Sequence, residues 1–500
     1  MPYWRETFST GYINPKDNFP DVTGEQTAEI VSILSAGTFF GALGASPMGD
    51  IVGRRWGLIA SCAVFTFGVI LQTIAVAIPL FVAGRFFAGF GVGLISALIP
   101  LYQSETAPKW IRGTVVGSYQ LAITIGLFLA AIVNNATKDR NDTGSYRIPV
   151  AVQFAWAIIL VVGMLLLPET PRYLIKRGRQ DTAAKALSRL RRLDVTHPAL
   201  VEELAEIEAN HNYELSLGKA TYADCFKGTL GKRLATGCLL QGLQQLTGVN
   251  FIFYYGTQFF LNSGIDEPFT ISVITNVVNV VSTFPGLYMV EKWGRRPLLM
   301  FGALGMFTAQ FIIAFVGTFA DSLTANKVLI AFICIYIFFF ACSWGPVAWV
   351  VTGEIFPLKV RAKSLSMTTA TNWLLNWAIA YSTPYMVNPA PPGESGYANM
   401  GPKVFFVWGS FCGICAIFVW ALIYETKGLS LEQVDELYAK VGHAWQSKHF
   451  VPTVSFQEVR EIATADPSRR ASLADLEAQR KRSMGDAVTG HTTTTTTEKY

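Results

Sequence analysis

The chain predicts an all-α membrane protein of two pseudo-symmetric helical bundles, and three observations carry that expectation. Its composition is apolar, its apolar residues fall in long uncharged runs, and its charged loop motifs occur twice. Of 500 residues, 51% are hydrophobic and 15% charged, against about 25% charged in soluble domains. Mean hydropathy is +0.35. A helix needs ~20 apolar residues to cross a hydrocarbon core of ~30 Å. Eleven stretches meet that demand: 27–48, 56–77, 80–103, 114–134, 148–167, 234–261, 269–290, 297–318, 328–351, 364–387 and 403–424.

In chain order, residues 1–26 are polar and mixed, with no apolar signal-peptide core, and read as an extracellular N-terminal segment. Residues 27–167 form a first bundle of five spans and 234–424 a second of six. Between them, 168–233 reads as a cytoplasmic linker of amphipathic helices, with Leu187, Leu190, Leu193, Leu204 and Ile207 as the apolar stripe. Residues 425–500 read as a cytoplasmic tail, disordered toward Thr492–Thr497. Basic residues mark the cytoplasmic side. Arg54 and Arg55, Lys109 and Arg112, Lys292, Arg295 and Arg296, and Lys359, Arg361 and Lys363 share one side with the linker if spans alternate. The opposite loop 135–147 carries two glycosylation sequons, at Asn135 and Asn141. This orientation puts the N-terminus outside and the C-terminus inside, in a multi-pass protein of the plasma membrane.

The net charge of +5 is spread over loops and does not suggest nucleic acid. The seven cysteines are scattered. Cys412 and Cys415 form a CxxC inside an apolar run and read as small packing residues rather than a metal or redox pair. Arg469-Arg470-Ala471-Ser472 has the form of a basophilic kinase acceptor. With no nucleophile, metal cluster or paired carboxylates in the spans, nothing suggests an enzyme or a cofactor.

The repeat points to transport. Gly53-Arg54-Arg55 recurs as Gly294-Arg295-Arg296, and Glu169-Thr170 as Glu425-Thr426. Glu105 and Arg112 recur as Glu354 and Arg361, both 249 residues on. Parallel repeats about an axis normal to the membrane, with a substrate site at the midplane between them, are a transporter architecture.

Polar groups inside the spans suggest the cargo. Gln241, Gln244, Gln245 and Asn250 lie in the sixth, Asn276 and Asn279 in the seventh, Asn372 and Asn376 in the tenth, and Gln120 in the fourth. Amides donate and accept without charge, which suits a polyhydroxylated neutral substrate. Taken singly, each could equally serve interhelical hydrogen bonding. Trp344, Trp349 and Tyr254 offer aromatic faces for a pyranose ring. Ser343-Trp344-Gly345-Pro346 breaks a helix in mid-membrane and is either a hinge at Gly345 and Pro346 or a static kink. The Gly89-Phe90-Gly91-Val92-Gly93 run lacks the strand of a dinucleotide loop and reads as close helix packing. Arg85 lies inside the third span with no Asp or Glu in the middle of any span to meet it, so it snorkels outward or lacks a partner.

Six segments then carry a resemblance: Gly49-Asp50-Ile51-Val52-Gly53-Arg54-Arg55, Ser104-Glu105-Thr106-Ala107-Pro108 through Arg112-Gly113, Pro168-Glu169-Thr170-Pro171-Arg172, Gln244-Gln245-Leu246-Thr247-Gly248-Val249-Asn250, Gly294-Arg295-Arg296, and Tyr424-Glu425-Thr426-Lys427-Gly428-Leu429. Over nearly all of 27–440 the chain resembles the sugar porters of the major facilitator superfamily, and in detail fungal hexose transporters. The resemblance implies a major facilitator fold, alternating access, and transport of a hexose such as glucose by proton symport or facilitated diffusion. The alternatives are a transporter-like glucose sensor or receptor, or a truncated form with impaired transport. It implies sugar contacts at Gln120, Gln244, Gln245, Asn250, Tyr254, Asn279, Trp349 and Asn372, with Trp373 packed behind. It implies gating ion pairs among Asp50, Arg54, Arg55, Glu105, Arg112, Glu169, Arg172, Glu291, Arg295, Arg296, Glu354, Arg361 and Glu425. The family's first helix, with its Phe-Gly-Tyr-Asp-type segment, has no match here, so eleven spans are expected where the family has twelve. In proton-coupled members that Asp lies near the Arg matching Arg85, which makes Arg85 the coupling candidate.

Overall fold

The computed structural model describes residues 2–14, 19–108, 111–216, 221–262, 268–320, 322–357, 360–387, 396–429 and 431–450. Lys109, Lys359, the Arg469–Ser472 acceptor, the threonine run and the Arg112 side chain lie outside the described residues.

The N-terminal segment forms α1 (Pro2–Phe8) and a hairpin of β1 (Tyr12–Asn14) and β2 (Phe19–Asp21). Phe8 packs on Phe81 and Tyr146, so this segment covers one end of the first bundle. Thr23 then starts α2 (Gly24–Ile51) with a capping box, accepting from the Gln26 amide N–H while Gln26 Oε1 accepts from its own. The rest of the first bundle is α3 (Arg54–Ile74), α4 (Ile78–Thr106), α5 (Arg112–Thr137) and α6 (Gly144–Leu166). The glycine run of α4 explains how closely these helices pack. A Cβ on Gly89 or Gly93 would sit 2.1 or 2.2 Å from the Leu34 or Thr38 carbonyl oxygen of α2, and one on Gly91 2.6 Å from the Phe65 nitrogen of α3. Gly37 and Gly41 of α2 return the notch against Phe86 and Phe90. Small residues let backbones meet in lipid, where dispersion contact rather than water exclusion holds helices together.

Linker helices α7 (Pro171–Lys176), α8 (Gln180–Arg191) and α9 (Pro198–Ser216) pack through Leu174, Ile175, Leu187, Leu204 and Ile207. The second bundle comprises α10 (Gly228–Leu246), α11 (Val249–Asn262), α12 (Pro268–Trp293), α13 (Arg295–Phe319), α14 (Leu323–Phe339), α15 (Gly345–Glu354), α16 (Arg361–Val387) and α17 (Val404–Leu422), before α18 (Leu431–Lys440). The core here is aromatic, with Tyr336, Trp344, Phe251 and Phe405 fully buried. Cys412 and Cys415 are buried in it as free thiols. The bundle exteriors, by contrast, expose Ile158, Ile159, Leu166, Val281 and Ile417, which is the pattern of a surface solvated by lipid.

Among the described residues, nine helices are long and apolar enough to cross a membrane. The expected spans 234–261 and 364–387 are not among them. The first is not one helix. It breaks at Thr247-Gly248, where Gly248 has φ +85, and the freed Thr247 carbonyl accepts from Gln310 Nε2 and the Tyr336 hydroxyl at 2.6 and 3.0 Å. An interrupted helix at membrane depth needs such internal partners. Amides and hydroxyls make the second, α16, too polar to qualify. The two halves meet along α2 with α16 and α5 with α12.

Candidate functional site

Interrupted and polar helices converge between the halves. Gln244, on the last turn of α10, donates through Nε2 to the Trp344 and Gly345 carbonyls at 2.8 and 3.1 Å. Those carbonyls lie where the helix widens into a π-turn at Phe340–Trp344 and restarts at Gly345-Pro346, as the break in sequence predicts. Gln245 Nε2 donates to Asn372 Oδ1 at 3.0 Å, and Asn372 Nδ2 to Gln241 Oε1 and Gln244 Oε1 at 2.7 and 2.8 Å. Asn250 Nδ2 and Asn376 Nδ2 both donate to Gln245 Oε1. Asn376 also exchanges bonds with the Tyr254 hydroxyl. Ser35 Oγ of α2 donates to Asn376 Oδ1 at 2.6 Å, carrying the network across to the first half.

Gln120 is buried on α5 and lies beside Gly345, with its Nε2 3.3 Å from where a Cβ there would be. Its neighbour Tyr119 meets Trp349 edge-on at 5.2 Å. Tyr254 keeps 37% of its surface accessible, the most exposed member of this network. Arg85 stands near Tyr254 and Tyr255, with its guanidinium over the Phe81 ring at 5.2 Å. No carboxylate pairs with it among the described residues, and its Nε is buried without a hydrogen bond. The buried Asn276 and Asn279 carbonyl oxygens and the Trp373 indole N–H also lack partners. Trp344 is withdrawn from any ligand: it is fully buried and its indole donates to the Leu299 carbonyl at 2.9 Å.

So Gln244, Gln245, Asn250, Tyr254 and Asn372 come together in one network and Gln120 approaches it, while Asn279 stands apart with a free acceptor. Gln241 and Asn376 complete it, as does Ser35, which no sequence signal separates from the other small residues of an apolar helix.

At the linker end, each half carries the same carboxylate clamp. Arg54 spans Asp50 Oδ1 and Glu105 Oε1 at 3.3 and 3.0 Å. Arg295 spans Glu291 Oε2 and Glu354 Oε1 at 3.3 and 2.7 Å. Glu169 accepts from the backbone N–H groups of Arg54, Arg55 and Thr170, and Glu425 from those of Arg295 and Arg296. Gly53 and Gly294 make this possible. Their φ values are +102 and +100, and a Cβ would lie 2.5 Å from Glu169 Oε2 or 2.6 Å from Glu425 Oε2. Successive N–H groups at such a turn form an anion-holding nest. Burial lifts the Glu169 carboxyl above its ordinary range, against those donors and the Arg54 charge, which pull it down.

Arg55 and Arg296 bind backbone carbonyls rather than carboxylates. Arg361 binds the Phe356 carbonyl at 3.1 and 3.2 Å. Arg172 makes no ion pair among the described residues. The halves approach here too: a Cβ on Gly113 of α5 would lie 2.1 Å from Glu291 Oε1 of α12. On the opposite side, Asn135 sits half-buried in the last turn of α5, and Asn141 is exposed in the following loop.

Comparisons with known proteins agree with this architecture. A family model described as "Sugar (and other) transporter" matches residues 5–438. The major facilitator-type transporter ecdD of Aspergillus rugulosus is 60% identical, over 97% of this chain and 91% of that protein. The probable glucose transporter rco-3 of Neurospora crassa is 57% identical, over 93% of this chain and 79% of its own. In structure, the chain resembles the E. coli proton:xylose symporter XylE bound to 6-bromo-6-deoxy-D-glucose, with a TM-score of 0.74 and 26% identity over 87% of this chain and 93% of that one.

Proposed function

The chain belongs to the sugar transporter family, and from that premise we infer that it carries a hexose such as glucose across the plasma membrane by alternating access of its two halves. The amide network between the halves is the observation that supports this reading. Each amide now satisfies another, and each can exchange that partner for a sugar hydroxyl, since both offer one donor and one acceptor function. Asn279, Asn276 and Trp373 add buried polar atoms that lack a partner among the described residues. We assign the contacts to Gln120, Gln244, Gln245, Asn250, Tyr254, Asn279, Trp349 and Asn372, with Trp373 behind them. Gly345 and Pro346 serve as the hinge. We assign the gate on the linker side to the two carboxylate clamps together with Arg112, Arg172 and Arg361; breaking a buried pair is costly, so intact clamps weight the state in which that side is closed.

The basic loops support a cytoplasmic position for that side, the linker and the C-terminal tail, and Asn141 is the favoured glycan acceptor. Residues 1–26, 27–167, 168–233, 234–424 and 425–500 are the corresponding outer segment, bundles, linker and tail. Arg85 is the group through which proton coupling would act.

Labelled-glucose uptake in cells lacking hexose transporters tests the reading. Saturable uptake above empty-vector cells is expected, and its absence from a surface-expressed chain would refute it. Alkalinisation of the medium on sugar addition would mark symport, and its absence facilitated diffusion.

A further inference from the structure

The linker helices border a cavity remote from the amides. It has a volume of about 800 Å³ and lies where α7 and α8 fold back against the ends of α2 and α3. Five cations line it, Arg55, Arg177, Arg179, Lys185 and Arg189, against the single carboxylate of Glu169. Glu169 is already held by backbone N–H groups. Arg55 donates to the Met164 and Leu165 carbonyls, both at 2.8 Å, and Arg177 to the Tyr173 hydroxyl and the Asp50 and Ile51 carbonyls. None of the five has a carboxylate partner among the described residues. Neighbouring cations do: Lys176 pairs with Asp50 at 3.0 Å and Arg191 with Glu203 at 2.6 Å. Five cations without a carboxylate partner thus gather around one cavity.

Its lip has the opposite character. Ile51, Val52 and Trp56 are exposed where α2 ends and α3 begins, with the Arg55 guanidinium over the Trp56 ring at 5.5 Å. Exposed tryptophan beside aliphatic side chains at the end of a span marks the membrane interface. The corresponding corner of the second half carries a stack of rings instead. Arg296 there also binds a carbonyl, that of Trp420, but Trp445 stacks on the Trp420 ring at 5.0 Å and His443 on Trp445 at 4.4 Å. The fold repeat thus does not by itself produce the basic cavity.

We propose that this cavity binds a multiply charged phosphate group, supplied in the first place by the head group of an anionic lipid in the leaflet on the linker side. The cations hold the phosphates, and Ile51, Val52 and Trp56 border the acyl chains.

The purified full chain in phosphatidylcholine nanodiscs, with and without phosphatidylinositol bisphosphate, provides the test. Native mass spectrometry reads lipid retention, and thermal unfolding reads stabilisation. Inositol hexakisphosphate and inorganic phosphate, added to the lipid-free-of-charge discs, are the soluble arms. Retention of the phosphoinositide is expected, weakened on the order of a hundredfold by combined Arg179→Gln, Lys185→Gln and Arg189→Gln. Binding of a soluble probe with the same loss, and no lipid retention, would keep the phosphate site but assign it to a soluble anion. If the triple variant unfolds, Lys185→Glu alone should still weaken binding. Equal binding by wild type and variants, or no binding of any probe, overturns the proposal.

Discussion

Gly53 and Gly294 each combine two constraints that an alanine would violate. The backbone lies at φ near +100, and the position of a Cβ is occupied by a carboxylate oxygen. Strain of this kind costs about 1–3 kcal/mol before the clash is counted. Gly53→Ala or Gly294→Ala should therefore lower the midpoint of thermal unfolding in detergent by several degrees, while Gly126→Ala, a helical position with open space around it, should leave it level or raise it. An unchanged midpoint in Gly53→Ala would show that the nest is not needed. Asn372 is the corresponding test in the network, since it links Gln241, Gln244 and Gln245. Asn372→Ala should raise the KM for uptake at least tenfold at normal surface expression, given about 0.5–1.5 kcal/mol per lost bond and several bonds lost. The repeated Gly-Arg-Arg and Glu-Thr segments were legible in sequence as charged loops. That their glutamates are held by backbone N–H groups was not, because side-chain identity says nothing about a positive φ beside a carboxylate.

At the scale of elements, the glycines of α2 and α4 and the break between α14 and α15 were both legible. In each case Gly or Pro removes something the backbone otherwise requires, a Cβ or a hydrogen bond. The break inside 234–261 was not, since Thr247-Gly248 resembles many uninterrupted glycine steps and its carbonyl partners, Gln310 and Tyr336, come from distant spans. Gly41→Leu should abolish folded protein in size-exclusion chromatography, because its Cβ alone would meet the Phe90 carbonyl oxygen at 2.1 Å. Gly126→Leu should not. Pro346→Ala, which allows the backbone bond that proline forbids, should lower the maximal uptake rate with little change in KM if the π-turn must flex during turnover. Equal loss of binding and rate would instead make it a static kink.

For the whole molecule, the apolar runs and the repeat foretold two bundles, but not which helices join them. Pairing of α2 with α16 and of α5 with α12 depends on shape along entire helices, and no local pattern encodes it. The Ser35–Asn376 bond crosses that seam. A Ser35→Cys, Asn376→Cys pair bridged through disulfide bonds by a short bis-methanethiosulfonate crosslinker should stop uptake, and a reductant, which cleaves those bonds, should restore it; uptake that persists in fully crosslinked protein would rule out separation of the halves at this point. The seam has a further consequence for how the protein is made. Of the amide-bearing spans at and beside it, α5 and α12 are apolar enough to cross a membrane on their own, while among the described residues α10 with α11 and α16 are too broken or too polar to qualify. Insertion of a segment is driven by its own apolarity, so these segments would enter the bilayer poorly if released alone. The residues suited to holding cargo thus impose an order on biogenesis: the early helices must already be in place at the translocon to receive the late polar ones.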